Sequence, residues 1–133
     1  MTMPAHRWTF PARITRIIDA DTADAVLDLA FGLQLGAPAS NMARLRLKDV
    51  WAPELNQPGG VEAKEWVQLW VADVEIAGTG EWDFLVETFK SARGEERRTL
   101  GRYVAVVWDA ARGACLNEDI VAAGVATARR DGA

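Results

Sequence analysis

Two residues in the segment 46–55 (RLKDVWAPEL), Arg46 and Glu54, have side chains suited to chemistry on a phosphate ester. A guanidinium can hold an anionic phosphate through paired hydrogen bonds, and a carboxylate can accept a proton from an attacking water. The same two residues could equally form an ordinary surface pair at the end of a strand. Which interpretation holds depends on what the rest of the chain supplies.

Asp19 and Asp21 form a second candidate pair, in a turn directly after a β-rich stretch. Functional carboxylates with perturbed properties are rare, so on its own the pair is explained by a solvated turn. The alternative is a site role, which needs support from other parts of the chain.

Composition excludes several other kinds of site. The chain of 133 residues has one cysteine, Cys115, and one histidine, His6, close to the amino terminus. An internal disulfide, a cysteine-based zinc site and a histidine-dependent triad are therefore excluded or very poorly supported. Net charge is −4, so no global positive field collects nucleic acid. A nucleic-acid substrate would have to be attracted by a local basic patch or a metal ion.

The sequence predicts one domain spanning residues 1–133, with a core at residues 8–128 and mobile termini. The first ten residues, MTMPAHRWTF, lack the apolar region of a signal peptide. No window approaches the ~20 apolar residues that a membrane span needs. We therefore expect a cytoplasmic protein that does not enter membranes.

Hydrophobic periodicity predicts the order β-β-β-α-β-β-α, a small barrel with helices packed on it. Glycine- and proline-rich residues 31–41 predict a long hairpin connection, and polar residues 91–101 predict a hairpin tip. Asn117 is the expected N-cap of a short final helix. The predicted strands are 8–18, 22–29, 42–50, 82–90 and 102–109, and the first helix is 61–76.

Alternation in the third predicted strand separates a core face from an outer face. Ala43, Leu45 and Leu47 are expected to face the core. Arg44, Arg46 and Lys48 then point outward together, with Arg44 and Lys48 as ordinary solvated charges. In the first helix, the residues at helical spacing predict an apolar face against the barrel: Ala63, Trp66, Val67, Trp70 and Val74.

Four short motifs occur in a fixed order between residues 10 and 128. They are Ile18-Asp19-Ala20-Asp21-Thr22, Arg46-Leu47 followed by Ala52-Pro53-Glu54, Leu100-Gly101-Arg102, and Leu116-Asn117-Glu118 with Ala123-Gly124-Val125. The helix start Val61-Glu62-Ala63 also fits. Together they resemble the staphylococcal nuclease (thermonuclease-like) family. The resemblance implies an α+β fold that is mainly β: a five-stranded OB-type barrel with a helix after strand 3 and a short C-terminal helix.

The resemblance also implies calcium-dependent hydrolysis of phosphodiester bonds in DNA and RNA. Asp21 resembles the family's metal-binding aspartate, Asp19 a carboxylate behind it, and the carbonyl of Ala52 a backbone metal ligand. Arg46 and Arg102 resemble the two phosphate-binding arginines, and Glu54 the carboxylate that activates water. Two guanidiniums suit a transition state that gathers charge on phosphate oxygens, and Ca²⁺ accepts 6–8 oxygen ligands in loose geometry.

Trp51 departs from the family, which usually has a calcium-binding aspartate at this position. Indole has no oxygen to offer, so calcium should bind more weakly unless Asp49, two residues earlier, takes over. On a regular strand, Asp49 would share the face of Trp51 but lie ~6–7 Å away. A register with Arg44 as the clamp preserves the Arg-to-Asp spacing, whereas Arg46 requires no insertion before Pro53 and is preferred. Trp51 could also stack on a base or pack on the barrel rim.

The expected function is therefore that of a calcium-dependent nuclease with single-stranded DNA or RNA as substrate, acting as a monomer. The first alternative is a weakened or inactive barrel that binds nucleic acid through the retained arginines. A protein-interaction domain is the second alternative, and the net acidity of the chain leaves it open.

Overall fold

A computed structural model describes residues 8–36, 43–78, 80–89 and 102–129, with the backbone alone at Arg102. The expected mobile termini and the predicted hairpin tip lie at residues outside these ranges. The strands are β1 Thr9–Asp19, β2 Thr22–Asp28, β3 Gln34–Leu35, β4 Ala43–Leu47, β5 Val50–Trp51, β6 Phe84–Phe89, β7 Arg102–Asp109 and β8 Thr127–Ala128. The helices are α1 Gly60–Ala77 and α2 Leu116–Ala122.

Five strands close into a barrel in the order β1-β6-β7-β4-β2, and β2 pairs back onto β1. The β4–β7 pair is parallel, and the other four pairs of the barrel are antiparallel. Helix α1 follows β4, the third barrel strand, and α2 follows β7. The predicted α+β fold, an OB-type barrel with a helix after strand 3 and a short C-terminal helix, is confirmed.

Aliphatic side chains fill the barrel, as the alternation in sequence predicts. Ala43 and Leu45 are 0% exposed and Leu47 is 4% exposed. Residues of α1 cover the barrel: Ala63, Val67, Val71 and Val74 are buried, and Trp66 and Trp70 pack against the core while partly exposed. The predicted apolar face of this helix is thus correct. Within the described residues, neither helix is long and apolar enough to cross a bilayer.

The predicted strand 42–50 is wrong in its second half, where the chain leaves the barrel. β4 ends at Leu47, and Asp49 adopts a φ of +59° in the turn that follows. The Lys48 amide still donates to the carbonyl of Ala105 at 2.8 Å. The chain then turns, and β5 pairs with β8, with Trp51 opposite Thr127. After Lys48 the chain therefore pairs with β8 and no longer with the barrel strands β2 and β7.

The expected N-cap of α2 is also wrong. Cys115 is the N-cap, and Asn117 lies inside the first turn of the helix. Its side chain is turned into the protein, where Nδ2 donates to the carbonyls of Lys48 and Ala105 at 3.0 Å each. Its Oδ1 accepts the amide of Val107 at 3.1 Å. Because buried backbone groups need hydrogen-bond partners, Asn117 stabilises the backbone of the barrel and does not cap the helix.

Candidate functional site

Asp21 lies in the tight turn between β1 and β2, and three hydrogen bonds hold it. Its carbonyl accepts the amide of Leu47 at 2.8 Å. One carboxylate oxygen accepts the hydroxyl of Thr22 at 3.1 Å, and the other accepts the amide of Ala52 at 3.4 Å. Two residues that the sequence assigned to one site, Asp21 and Ala52, are therefore in contact although 31 positions apart.

Asp19 occupies the last position of β1, opposite Thr22 in the hairpin. It is partly buried, whereas Ala20 beside it is 2% exposed. Burial of Ala20 anchors the turn that carries both aspartates. Asp19 therefore belongs to the same turn as Asp21, as the sequence predicts.

Arg46 lies beside this turn, because it pairs with Thr22 of β2 on one side and with Val104 of β7 on the other. Its side chain is partly buried. Arg102 begins β7 and pairs in register with Arg44. Arg102 therefore lies two residues before Val104, the residue of β7 that pairs with Arg46. The two candidate phosphate ligands therefore come from neighbouring strands.

Arg44 is not the solvated charge that the alternation suggested. Its Nε and Nη2 donate to the two carboxylate oxygens of Asp24 at 2.8 and 3.3 Å, and Asp24 is 3% exposed. These hydrogen bonds outweigh the effect of burial and raise the pKa of Arg44. A carboxylate buried in this way requires a cationic partner, so Arg44 is committed to the fold.

Glu54 has a fixed backbone and an exposed side chain. Its amide donates to Oε1 of Gln57 at 2.8 Å, and its carbonyl accepts the Gln57 amide at 2.9 Å. Gly60 passes so close that a Cβ there would lie 1.8 Å from the Glu54 carbonyl oxygen. Gly59 is the N-cap of α1, and in the described structure no side chain caps it. Glu54 is therefore held in a tight loop with its carboxylate in solvent.

Asp49 and Trp51 do not share a face, because the regular strand assumed for this segment is interrupted. The carboxylate of Asp49 pairs with Nζ of Lys48 at 2.8 Å. Lys48 also lies over the ring of Phe89, 5.3 Å from its centre. Trp51 is 39% exposed and lines a groove together with Pro53 and Pro58, and Asp49 is not part of that groove. Asp49 as a replacement calcium ligand remains a prediction.

The residues that the resemblance assigns to a cation are Asp21, with Asp19 in the same turn, and the carbonyl of Ala52, with Asp49 as a candidate replacement ligand. Among the residues that the structure describes, no three carboxylate, histidine or cysteine side chains form a metal-binding cluster. Ca²⁺ needs 6–8 oxygens but accepts water for several of them. A calcium ion at Asp21 would therefore be held by few protein ligands and by many waters.

Two residues that organise the neighbourhood of the site, Asp24 and Asn117, were not predictable as such from the sequence. A lone aspartate in an alternating strand looks like a solvated residue, and only the register β2–β4 reveals Arg44 opposite it. Asn117 lies near the start of a helix, so its sequence context predicts an N-cap and does not reveal that it hydrogen-bonds buried backbone groups. Cys115 is buried, and burial raises the pKa of its thiol, so it has the character of an inert small residue.

No protein-family model matches the chain, and a search of curated proteins finds no match.

Proposed function

We propose that the chain is a nuclease: a phosphodiester hydrolase of the staphylococcal nuclease type that uses a divalent cation, calcium, and acts on single-stranded DNA or RNA. The observation that supports this most directly is the hydrogen bond between Ala52 and Asp21, with Arg46 on the adjoining strand. Segments that resemble the family's motifs, and that are far apart in sequence, meet at one end of the barrel.

In the proposed mechanism, Arg46 binds the non-bridging oxygens of the scissile phosphate, and Arg102 is assigned the same role. Guanidinium groups suit this role because their paired donors match two phosphate oxygens, and they neutralise charge that increases in the transition state. Arg44 is a poor choice for the clamp because the buried carboxylate of Asp24 holds its guanidinium. The register with Arg46 is preferred because it needs no insertion before Pro53.

Glu54 accepts a proton from the attacking water. The exposed carboxylate can reach solvent, while the loop around Gln57 and Gly60 keeps its backbone in one position. A fixed backbone leaves only side-chain rotations of Glu54 to be ordered in the transition state, which reduces its entropy cost. Calcium bound at Asp21 would supply positive charge to the phosphate and lower the pKa of a bound water.

The test is hydrolysis of a labelled single-stranded DNA at alkaline pH, with millimolar calcium compared with chelator. We expect cleavage that requires calcium and is lost in Glu54→Ala. Loss of a phosphate ligand should reduce the rate in Arg46→Ala by about 10²–10³-fold. Arg16→Ala is the matched control, because Arg16 is an exposed arginine of β1 and should leave the rate unchanged.

A second candidate, a nucleic-acid-binding module without catalysis, is favoured by one observation. Trp51 occupies the position of an expected calcium ligand and offers an exposed aromatic ring instead. This candidate gains support if no divalent cation promotes cleavage but DNA binding is salt-sensitive and falls in Arg46→Ala. Absence of both cleavage and binding would contradict both candidates.

A further inference from the structure

An open groove of about 360 Å³ lies where the start of α1 faces the β5–β8 ladder. We call it the Trp51 groove. Its size is near the lower end of the ~300–1,000 Å³ range of small-molecule sites, enough for one flat ring system. Its walls are mostly apolar, and a single carboxylate, Glu62, stands among them. The lining residues are Trp51, Pro53, Pro58, Gly59, Glu62, Gly124, Val125, Ala126 and Thr127.

Strand pairing and proline rings restrict the backbone of the groove walls. Trp51 is held by its pairing with Thr127, whose hydroxyl also donates to the Trp51 carbonyl at 3.5 Å. Two walls are prolines, which have a fixed φ. Pro53 and Gly59 are neighbours in the wall, since a Cβ on the glycine would lie 3.7 Å from Cγ of the proline, at van der Waals contact. A groove built in this way loses little conformational entropy when a ligand binds.

Two residues of the groove directly precede residues of the proposed hydrolytic site in the sequence. Trp51 directly precedes Ala52, whose amide bonds to Asp21, and Pro53 directly precedes Glu54. We therefore take the groove as the place for a base of a strand whose phosphate binds at Arg46 and Glu54. An exposed indole is a favourable surface for a base, since every base can stack on an aromatic ring.

Glu62 gives this groove a preference among bases. It lies in the first turn of α1, is exposed, and presents two acceptor oxygens. Guanine alone carries two adjacent donors, N1–H and the N2 amino group, on its Watson–Crick edge. Adenine and cytosine place an acceptor beside their donor, and uracil and thymine flank theirs with two carbonyls. A carboxylate therefore repels part of each of the other bases.

We propose that the Trp51 groove binds a guanine base, stacked on Trp51 and held through its Watson–Crick edge by Glu62. The proposal rests on the proposed function, since the base belongs to the nucleic acid that is cleaved. It assigns the protein a preference for cleavage sites next to guanine.

The test is calorimetric titration of the full chain with guanosine, adenosine, cytidine and uridine 5′-monophosphates in the presence of chelator. We expect guanosine monophosphate to bind about tenfold more tightly than the other three, as one bidentate contact provides. Glu62→Gln should reduce this preference below about twofold, because an amide presents only one acceptor oxygen. Glu65→Gln is the matched control, since Glu65 is an exposed glutamate of the same helix outside the groove.

Stacking is tested with two variants of Trp51, so that a folding defect in one does not decide the result. Trp51→Leu should weaken binding of all four nucleotides about tenfold, while Trp51→Phe keeps most of the affinity. Equal affinity for the four nucleotides, or a guanine preference that survives in Glu62→Gln, overturns the assignment. So does the absence of nucleotide binding.

Failure of this inference and failure of the proposed function give different results. Glu54→Ala should lose cleavage but keep guanosine monophosphate binding. If the wild type cleaves DNA without nucleotide preference or binding in the groove, only the guanine assignment is wrong. If it binds guanosine monophosphate but cleaves nothing, the hydrolase is wrong and the binding module is supported.

Discussion

The guanidinium of Arg44 and the carboxylate of Asp24 form a two-point hydrogen bond between strands β4 and β2, next to Arg46. Two arginines on the same face of one strand thus have separate tasks. Arg44 neutralises a buried charge of the barrel, whereas Arg46 is assigned to the phosphate. This division can be measured, because stability and activity should respond to different substitutions.

Replacing Arg44 by methionine should lower the free energy of unfolding by about 1–3 kcal/mol. Removing one partner of a buried pair costs about 3–5 kcal/mol, but Arg44 is 37% exposed, so solvent screens part of this loss. Urea denaturation measures the change, with Arg16→Met as the control, expected within about 0.5 kcal/mol of the wild type. Adding Asp24→Asn to Arg44→Met should restore part of the stability. Equal stability of Arg44→Met and Arg16→Met would contradict this account.

Asn117→Ala should lower the free energy of unfolding by about 2–4 kcal/mol. The substitution leaves three backbone groups of Lys48, Ala105 and Val107 without the hydrogen bonds that Asn117 makes, and each such buried group costs about 1–3 kcal/mol. Part of this cost is recovered because the Ala105 carbonyl keeps its bond from the Lys48 amide. Glu118→Ala, one residue on and exposed, should change stability by less than about 1 kcal/mol. Similar losses in the two variants would show that helix propensity, not the network, is responsible.

Gly60→Ala should destabilise the protein and slow the proposed cleavage. In a helix, alanine is normally favoured over glycine by about 1 kcal/mol. Here the new Cβ would collide with the carbonyl of Glu54, so the loop that carries this carboxylate must move. Denaturation and cleavage assays on the same preparation measure both effects. A more stable variant with unchanged cleavage would show that the loop adapts without moving Glu54.

Asp109 should make stability sensitive to acid. Burial favours a higher pKa for this carboxyl, but hydrogen bonds from the Arg112 side chain and from the amides of Arg112 and Ala111 outweigh it and hold the pKa below its ordinary value. A folded-state pKa below the unfolded value of about 3.9 stabilises the fold above that pH, and this stabilisation is lost as pH falls through the folded pKa.

The measurement is the difference in the free energy of unfolding between wild type and Asp109→Asn at several pH values. This difference should stay constant from pH ~7 to ~5 and shrink below pH ~4. Asp73→Asn is the matched control for the shared partner, because Asp73 also pairs with Arg112, at 3.4 Å, but its side chain is 74% exposed. A wild-type advantage that does not change with pH would contradict the assignment.

The barrel was predictable because its information is local and periodic. Alternation in residues 43–47 predicts that Leu45 faces the core and Arg46 faces outward. Helical spacing predicts that Val67 lies on the buried face of α1. The path after Leu47 was not predictable, since it depends on a pairing with Thr127 and Ala128 near the other end of the chain. A two-residue strand carries no periodic signal of its own.

The candidate site was predictable only as a set of residues in order. The resemblance to the staphylococcal nuclease family grouped Asp21 with Ala52, and the structure brings these two into contact. Motif spacing could not reveal that Arg44 is engaged by Asp24, nor that Asp49 turns away toward Lys48, because both facts depend on register and on a positive φ. The partners of charged residues therefore had to come from the structure.

The parallel pair β4–β7 determines when the barrel can close as the chain folds during synthesis. Residues 44–47 pair with residues 102–105, so the barrel stays open until β7 has been synthesised. Asp21, Arg46, Ala52 and Glu54 are all made long before that. A nascent or truncated chain that ends before β7 contains most of the candidate catalytic residues without the closed wall that aligns them. A chain that terminates before β7 should therefore lack the proposed activity, because the strand that closes the barrel beside Arg46 is missing.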